Sequence, residues 1–168
     1  MFKQIAIAGT LAIVASSSFA NGPGDPDFYP SNYVGLDAGS TRLTAKSVRS
    51  NSHGIYLGYE FAPNFAIEVG ARRLGDFDEC CHHLLFDQAA ISLVGALPLG
   101  NLSIFSRIGY NKLRVSAKPP HVPTETTAGS LVGLGVGYTF SPTVSARAEF
   151  QKPSNDLNNF SFGVTIRY

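Results

Sequence analysis

The last nine residues, Phe160-Ser161-Phe162-Gly163-Val164-Thr165-Ile166-Arg167-Tyr168, alternate without interruption. Phe160, Phe162, Val164, Ile166 and Tyr168 fall on one side of an extended chain, and Ser161, Gly163, Thr165 and Arg167 on the other. Successive side chains of a strand point to opposite faces. Such a segment therefore has one oily face and one face of small or charged groups. What it can build depends on which face looks outward.

Eight segments carry this period of two, separated by turn residues. They run over Tyr33–Ala45, His53–Ala62, Phe65–Gly75, Phe86–Leu97, Leu102–Ala117, Ala128–Ser141, Val144–Lys152 and Asn158–Tyr168. Short connections rich in Pro, Gly and Asn (Pro63-Asn64, Pro98 to Asn101, Pro142-Thr143) take turns with longer polar ones. The longer ones are Lys46–Ser52, Asp76–Leu85, Lys118–Thr127 and Pro153–Leu157. Short turns at one rim and long loops at the other are the layout of a bacterial outer-membrane barrel.

The two faces support that reading. The oily face carries Leu36, Ile55, Leu57, Ile67, Val69, Ile91, Leu93, Leu134, Val136 and their neighbours, with no charge at its centre. The other face carries Asp37, Glu60, Glu68, Arg72, Arg107, Arg147, Glu149 and Arg167, spaced by Gly, Ser, Thr and Tyr. A soluble two-sheet sandwich could also show alternation. Three features weigh against it. Aromatics collect near strand ends on the oily face (Tyr59, Phe61, Phe65, Tyr110, Tyr138, Phe140, Tyr168), as an interfacial girdle requires. Many of the 17 glycines sit on the charged face, where they make room inside a narrow barrel. The chain also begins with an export signal yet has only two cysteines.

That signal is residues 1–20: Lys3, an apolar stretch from Ile5 to Ala15, then Ser18-Phe19-Ala20. Residues 21–32, rich in Gly, Pro and Asp, are expected to form a loose leader, and residues 33–168 the barrel. Past the N-terminus no apolar run reaches the ~18 residues of a membrane-spanning helix. The near balance of 13 basic and 12 acidic residues gives no field that would draw nucleic acid.

The fold expected is therefore all-β, an eight-stranded antiparallel up-and-down transmembrane barrel. Eight strands enclose a space just wide enough for side chains to fill. Four carboxylates and four guanidiniums turned into it would pair as a plug of salt bridges.

The chain resembles the OmpA-like eight-stranded outer-membrane barrels, meaning the transmembrane domain of the outer membrane protein A type and the outer membrane protein X type. The matching pieces are Tyr33–Gly39, Gly58–Glu68, Gly133–Ser141 running into Val144–Phe150, and Phe162–Tyr168. The resemblance implies that the terminal strand, with Phe160, Phe162, Val164, Ile166 and Tyr168, is read by the outer-membrane assembly machinery. Many members end in Phe, so Tyr168 departs mildly. The sequence given stops at the barrel, so tethering to the cell wall is not expected.

Cys80-Cys81-His82-His83 is open to a metal reading, a disulfide reading and that of a variable surface loop. Adjacent residues of an extended loop point apart, which is poor geometry for convergent ligands. No cofactor is implied. A lipid A-modifying enzyme would need a nucleophile with a positioned base, and none of His53, His82, His83 and His121 stands two residues before a serine. Lys46, Arg49, Lys112, Arg114 and Lys118 flank the long-loop rim and could meet lipopolysaccharide phosphates. Arg42 and Arg73 are expected to snorkel at the same rim.

The function expected is a small integral outer-membrane barrel of the Gram-negative envelope with a structural or surface-interaction role. Its partners would be outer-membrane lipid and lipopolysaccharide, the assembly machinery, and a host or phage surface. A small gated pore is the first alternative, and a lipid A-modifying enzyme the second.

Overall fold

A computed structural model describes residues 29–44, 48–79, 82–118 and 125–168. Eight antiparallel strands form a closed barrel in sequence order. They are β1 (Ser31–Leu43), β2 (Val48–Ala62), β3 (Phe65–Glu79), β4 (His82–Leu99), β5 (Leu102–Lys118), β6 (Glu125–Thr139), β7 (Val144–Lys152) and β8 (Leu157–Arg167). β1 pairs with β8 from Tyr33↔Arg167 to Leu43↔Leu157, which closes the ring. Asn32 and Tyr168 exchange backbone hydrogen bonds at 3.3 and 2.9 Å and finish the seam. In hydrocarbon every backbone amide needs such a partner, so closure is compulsory.

The seam corrects one expectation. Ser31 and Asn32 belong to β1 and not to a loose leader, because Asn32 is held by Tyr168. Residues 1–28, which hold the expected export signal and most of the expected leader, lie outside the described residues.

The pairing sets the slant of the strands. From Ala38 through β2, β3, β4 and β5, the ladder leads to Thr126. From Ala38 through β8 and β7 it leads to Val136 on the same strand, ten residues further along. A stagger of that size tilts the strands about 40° from the axis.

The short turns follow their residues. Pro63 fixes one backbone angle, and Asn64 takes the left-handed conformation at φ 68°, beside a bulge between Glu60 and Ala62. Gly100 does the same at φ 69°. Pro98 and Leu99, expected in this turn, extend β4 instead, paired with Ser103 and Leu102.

Two of the four long connections, Lys46–Ser52 and Asp76–Leu85, are mostly strand, a larger correction. Of Asp76–Leu85, every described residue is paired, up to Glu79↔His82. β5 runs to Lys118 and β6 begins at Glu125. β6 also ends at Thr139, two residues short of the expected Ser141. Polar composition suggested loops there, but a ladder continues wherever its backbone finds a partner.

The faces sort as the barrel demands. Leu36 and Phe162 are each 63% exposed on the outer wall, and Ile91 and Val164 each 54%. An apolar belt that size would not persist in water on a monomer. In a bilayer it is the solvent-matched surface. Tyr59, Phe61, Phe65, Tyr138, Phe140 and Tyr168 ring the short-turn rim. Tyr110 does not join them; it sits deep within β5, opposite Ile91.

Prediction: Phe162→Asp with Tyr168→Asp places two charges on the lipid face of the closing strand and blocks assembly. Gel mobility before and after boiling checks this. The wild type is expected to shift on heating, and the variant to show no folded band.

Candidate functional site

The lumen encloses the buried charges and is the candidate site. Glu68 on β3 and Glu149 on β7 face Arg107 on β5 and Arg147 on β7. Arg107 Nη2 donates to Glu68 Oε2, and Arg107 Nε lies 2.7 Å from Glu149 Oε1. Arg147 Nη1 donates to Glu68 Oε1 at 2.6 Å, and its Nη2 lies 3.6 Å from Glu149 Oε2. Each carboxylate thus touches both guanidiniums. Tyr33 OH adds a hydrogen bond to Glu68 Oε1 at 2.8 Å, and Arg107 Nη1 one to Ser92 Oγ at 3.3 Å. The Arg147 guanidinium lies 3.5 Å from the centre of the Tyr56 ring, a cation–π contact that covers its face.

Two further pairs flank this cluster. Arg72 holds Asp37 through two bonds, 2.9 Å from Nε and 2.5 Å from Nη2, and donates to Gln151 Oε1 at 2.6 Å. Arg167 binds Glu60 at 2.8 Å near the short-turn mouth, and Ser31 Oγ donates to the other Glu60 oxygen at 2.9 Å. All eight ionic residues named from the sequence therefore stand inside the barrel, each in an ion pair. Arg147 and Glu149, two residues apart on one strand, meet each other only at the longest of these distances. Arg167 lies beside β7 but reaches Glu60 on β2.

Glycine makes room for the rings. Tyr33 pairs with Gly58 and Tyr56 with Gly35 in the β1–β2 ladder. A Cβ built on either glycine would sit 2.0 Å from the opposite tyrosine's ring carbon. Each ring lies flat across the missing side chain, and the two rings meet edge-on at 6.4 Å.

Above the ionic cluster lies a layer of amides and hydroxyls. Asn159 donates to Thr41 Oγ1 at 2.9 Å and to Ser52 Oγ at 2.7 Å. Asn111 donates to the Pro153 carbonyl at 2.9 Å. Higher still, buried Leu74, Leu113 and Leu157 pack together with Leu43 and Phe86 against them. Hydrocarbon thus closes the long-loop end. At the other end, a cavity of about 420 Å³ opens at the short-turn rim, lined among others by Tyr33, Glu60, Arg147 and Arg167.

Sequence reasoning missed the leucine layer and the amide layer. Leu113 is in phase with Arg107 and Asn111, which was a usable signal. Leu157 sits just before the expected start of its strand. Leu74 is the bulged residue between Arg73 and Gly75, in phase with Glu68 and Arg72. Cys80 and Cys81 lie outside the described residues. His82 and His83 are in β4.

Comparison with known proteins agrees with this architecture. A family model described as outer membrane protein beta-barrel domain matches residues 6–168. Neisserial surface protein A (NspA) superposes with a TM-score of 0.66 at 18% identity, over 84% of this chain and 100% of that one. The N-terminal β-barrel domain of Pseudomonas aeruginosa OprF gives 0.62 at 12% identity, over 83% and 100%. Ail, the attachment invasion locus protein of Yersinia pestis, in its complex with the heparin analogue sucrose octasulfate, gives 0.56 at 13% identity, over 83% and 97%. At such identities the likeness concerns the fold. No curated protein matches the chain.

Prediction: Glu68→Ala leaves Arg107 and Arg147 short of a buried counter-charge and is expected to destabilise the barrel by about 3–5 kcal/mol. Glu60→Ala, at a mouth where Arg167 is 43% exposed, is expected to cost under about 1 kcal/mol. Urea unfolding in lipid vesicles measures both.

Proposed function

This chain belongs to the outer membrane protein β-barrel domain family, and on that premise we propose that it works by contact at the cell surface. It is a small integral barrel of the bacterial outer membrane. Residues 1–20 serve in this reading as its export signal. The terminal strand, Phe160 to Tyr168, is what the assembly machinery engages.

One observation carries the proposal. β3, β4, β5 and β6 rise past their neighbours as a four-stranded sheet. β4 alone has 18 residues. That gives about 45 Å along the axis at ~3.3 Å per residue and a tilt of about 40°, against a hydrocarbon band of about 25 Å. β2 pairs with β3 only as far as His53↔Arg73, and β7 with β6 only from Val132 downward. Among the described residues, both flanks of the projecting sheet beyond those points lack a strand partner. Ser50 clamps one of them, exchanging hydrogen bonds of 2.9 Å with the Asp76 backbone. Exposed Asp76, Thr126, Thr127 and Ser130 keep the projection polar. A free strand edge held in water is a template for another chain. The partner fitted to it is an extended segment of a protein on a host or phage surface.

The lumen supports contact over transport or catalysis. Its charged groups are committed to one another. The gated-pore alternative draws support from the cluster in which each carboxylate touches two guanidiniums, an arrangement that could exchange partners. The leucine layer stands in series with that cluster and opposes a water path even if the ion pairs rearrange.

Prediction: replacing residues 77–84 with a two-residue turn, and 116–125 likewise, removes the projection and keeps the barrel. The trimmed protein is expected to retain heat-modifiable migration and to lose adhesion of expressing cells to host cells. Unchanged adhesion would refute the contact role. In planar bilayers the intact barrel is expected to show no steady single-channel steps, and a stable open level would favour the pore.

A further inference from the structure

Two shallow apolar grooves of the outer wall differ in the charges that border them. The first has a volume of about 600 Å³ and crosses β2 to β5. Ala71 and Ala89, paired across β3 and β4, form its floor. Ile55 and Leu57 stand on one side, Ile91 and Tyr110 on the other. Lys112, the ladder partner of Ala89, borders it. One outward row nearer the long-loop rim come Arg73, Asp87 and Arg114, again ladder partners. Asp87 accepts a hydrogen bond of 3.0 Å from Arg73 Nε. Arg73 is thus paired with Asp87, while Lys112 and Arg114 have no ion pair among the described residues where the apolar wall meets the headgroup zone.

The second groove, about 640 Å³, lies over β1, β8, β7 and β6 toward the short-turn half. Ala38, Ala146 and Ala148 line it between Phe162 and Tyr138. The two charged residues at its back, Asp37 and Arg147, bond inside the lumen. No lipid-facing charge borders it.

We propose that the first groove is a seat for one phosphorylated acyl lipid of the outer leaflet, of the lipopolysaccharide kind. An acyl chain lies over Ala71 and Ala89, and a phosphate meets Lys112 and Arg114, with Arg73 beside them. An acyl chain in a bilayer is already in hydrocarbon, so fitting a groove gains it little. Selectivity must come from the headgroup. There the phosphate accepts charge-assisted hydrogen bonds at a boundary where water screens less. The alanine floor sets where the chain, and so its phosphate, comes to rest. The second groove, with the same floor and no cation, holds any chain without preference.

The seat rests on the membrane placement and is independent of the projecting sheet, so the trimmed barrel should bind lipid unchanged. The test is native mass spectrometry of the full folded barrel in detergent, titrated with bis-phosphorylated lipid A and with the same lipid dephosphorylated. Wild type is expected to hold the phosphorylated form at least fivefold better. Lys112→Gln with Arg114→Gln should remove that preference. Ala71→Leu with Ala89→Leu should weaken binding several-fold, and Ala146→Leu with Ala148→Leu should not. Heat-modifiable migration verifies folding of each variant. If the Ala71/Ala89 variant does not fold, the charge variant decides, because its side chains are exposed. Equal binding of the two lipids by wild type, or an undiminished preference in the charge variant, overturns the seat.

Discussion

The hydrogen bonds between Asn32 and Tyr168 stand for the constraint on which everything else depends. Hydrocarbon offers nothing to a free N–H or C=O. A sheet that enters it must have no edge, and eight strands can lose their edges only by meeting themselves. Once the ring closes, the inner diameter is set by strand number and stagger. The interior must then be filled from eight inward rows, and the outward rows must be oily. The alternation of the sequence is the record of that demand.

What fills the interior is layered. Toward the short turns lies an open cavity, then two carboxylates shared by two guanidiniums, then amides and hydroxyls, then leucine. A buried charge is tolerable only beside its opposite and with its remaining hydrogen-bonding capacity used. Glu68 meets the condition with Arg107, Arg147 and Tyr33 together. Arg147 meets it with two carboxylates and an aromatic face. Tyr56 can lie against Arg147 because Gly35 leaves its ring the space. The glycines of the inner face and the rings of the inner face are therefore one arrangement.

Much of the fold was legible because strand phase is local. Whether Val69 or Glu68 faces lipid follows from counting by two. The partners of the charges were not legible. Arg167 reaches Glu60 across β1, a choice governed by stagger and side-chain length, which no short stretch of sequence carries. Strand ends failed for a related reason. Asp76 and Thr126 have the composition of loops, yet each continues a ladder because a partner strand runs alongside. Leu74 keeps the count by two with Glu68 and Arg72; what was not legible is that Leu113 and Leu157 meet it, which again depends on stagger. Nothing in composition marks where a strand leaves the membrane and keeps going.

The account stands on the oily rows facing hydrocarbon and the ionic rows facing inward. The chain has no tryptophan, so one introduced indole reports without background. The direct measurement is fluorescence of an Ile91→Trp barrel in vesicles whose acyl chains carry bromine. The account predicts strong quenching by the brominated chains and little by acrylamide in the water. Quenching by acrylamide with none from the lipid would contradict it.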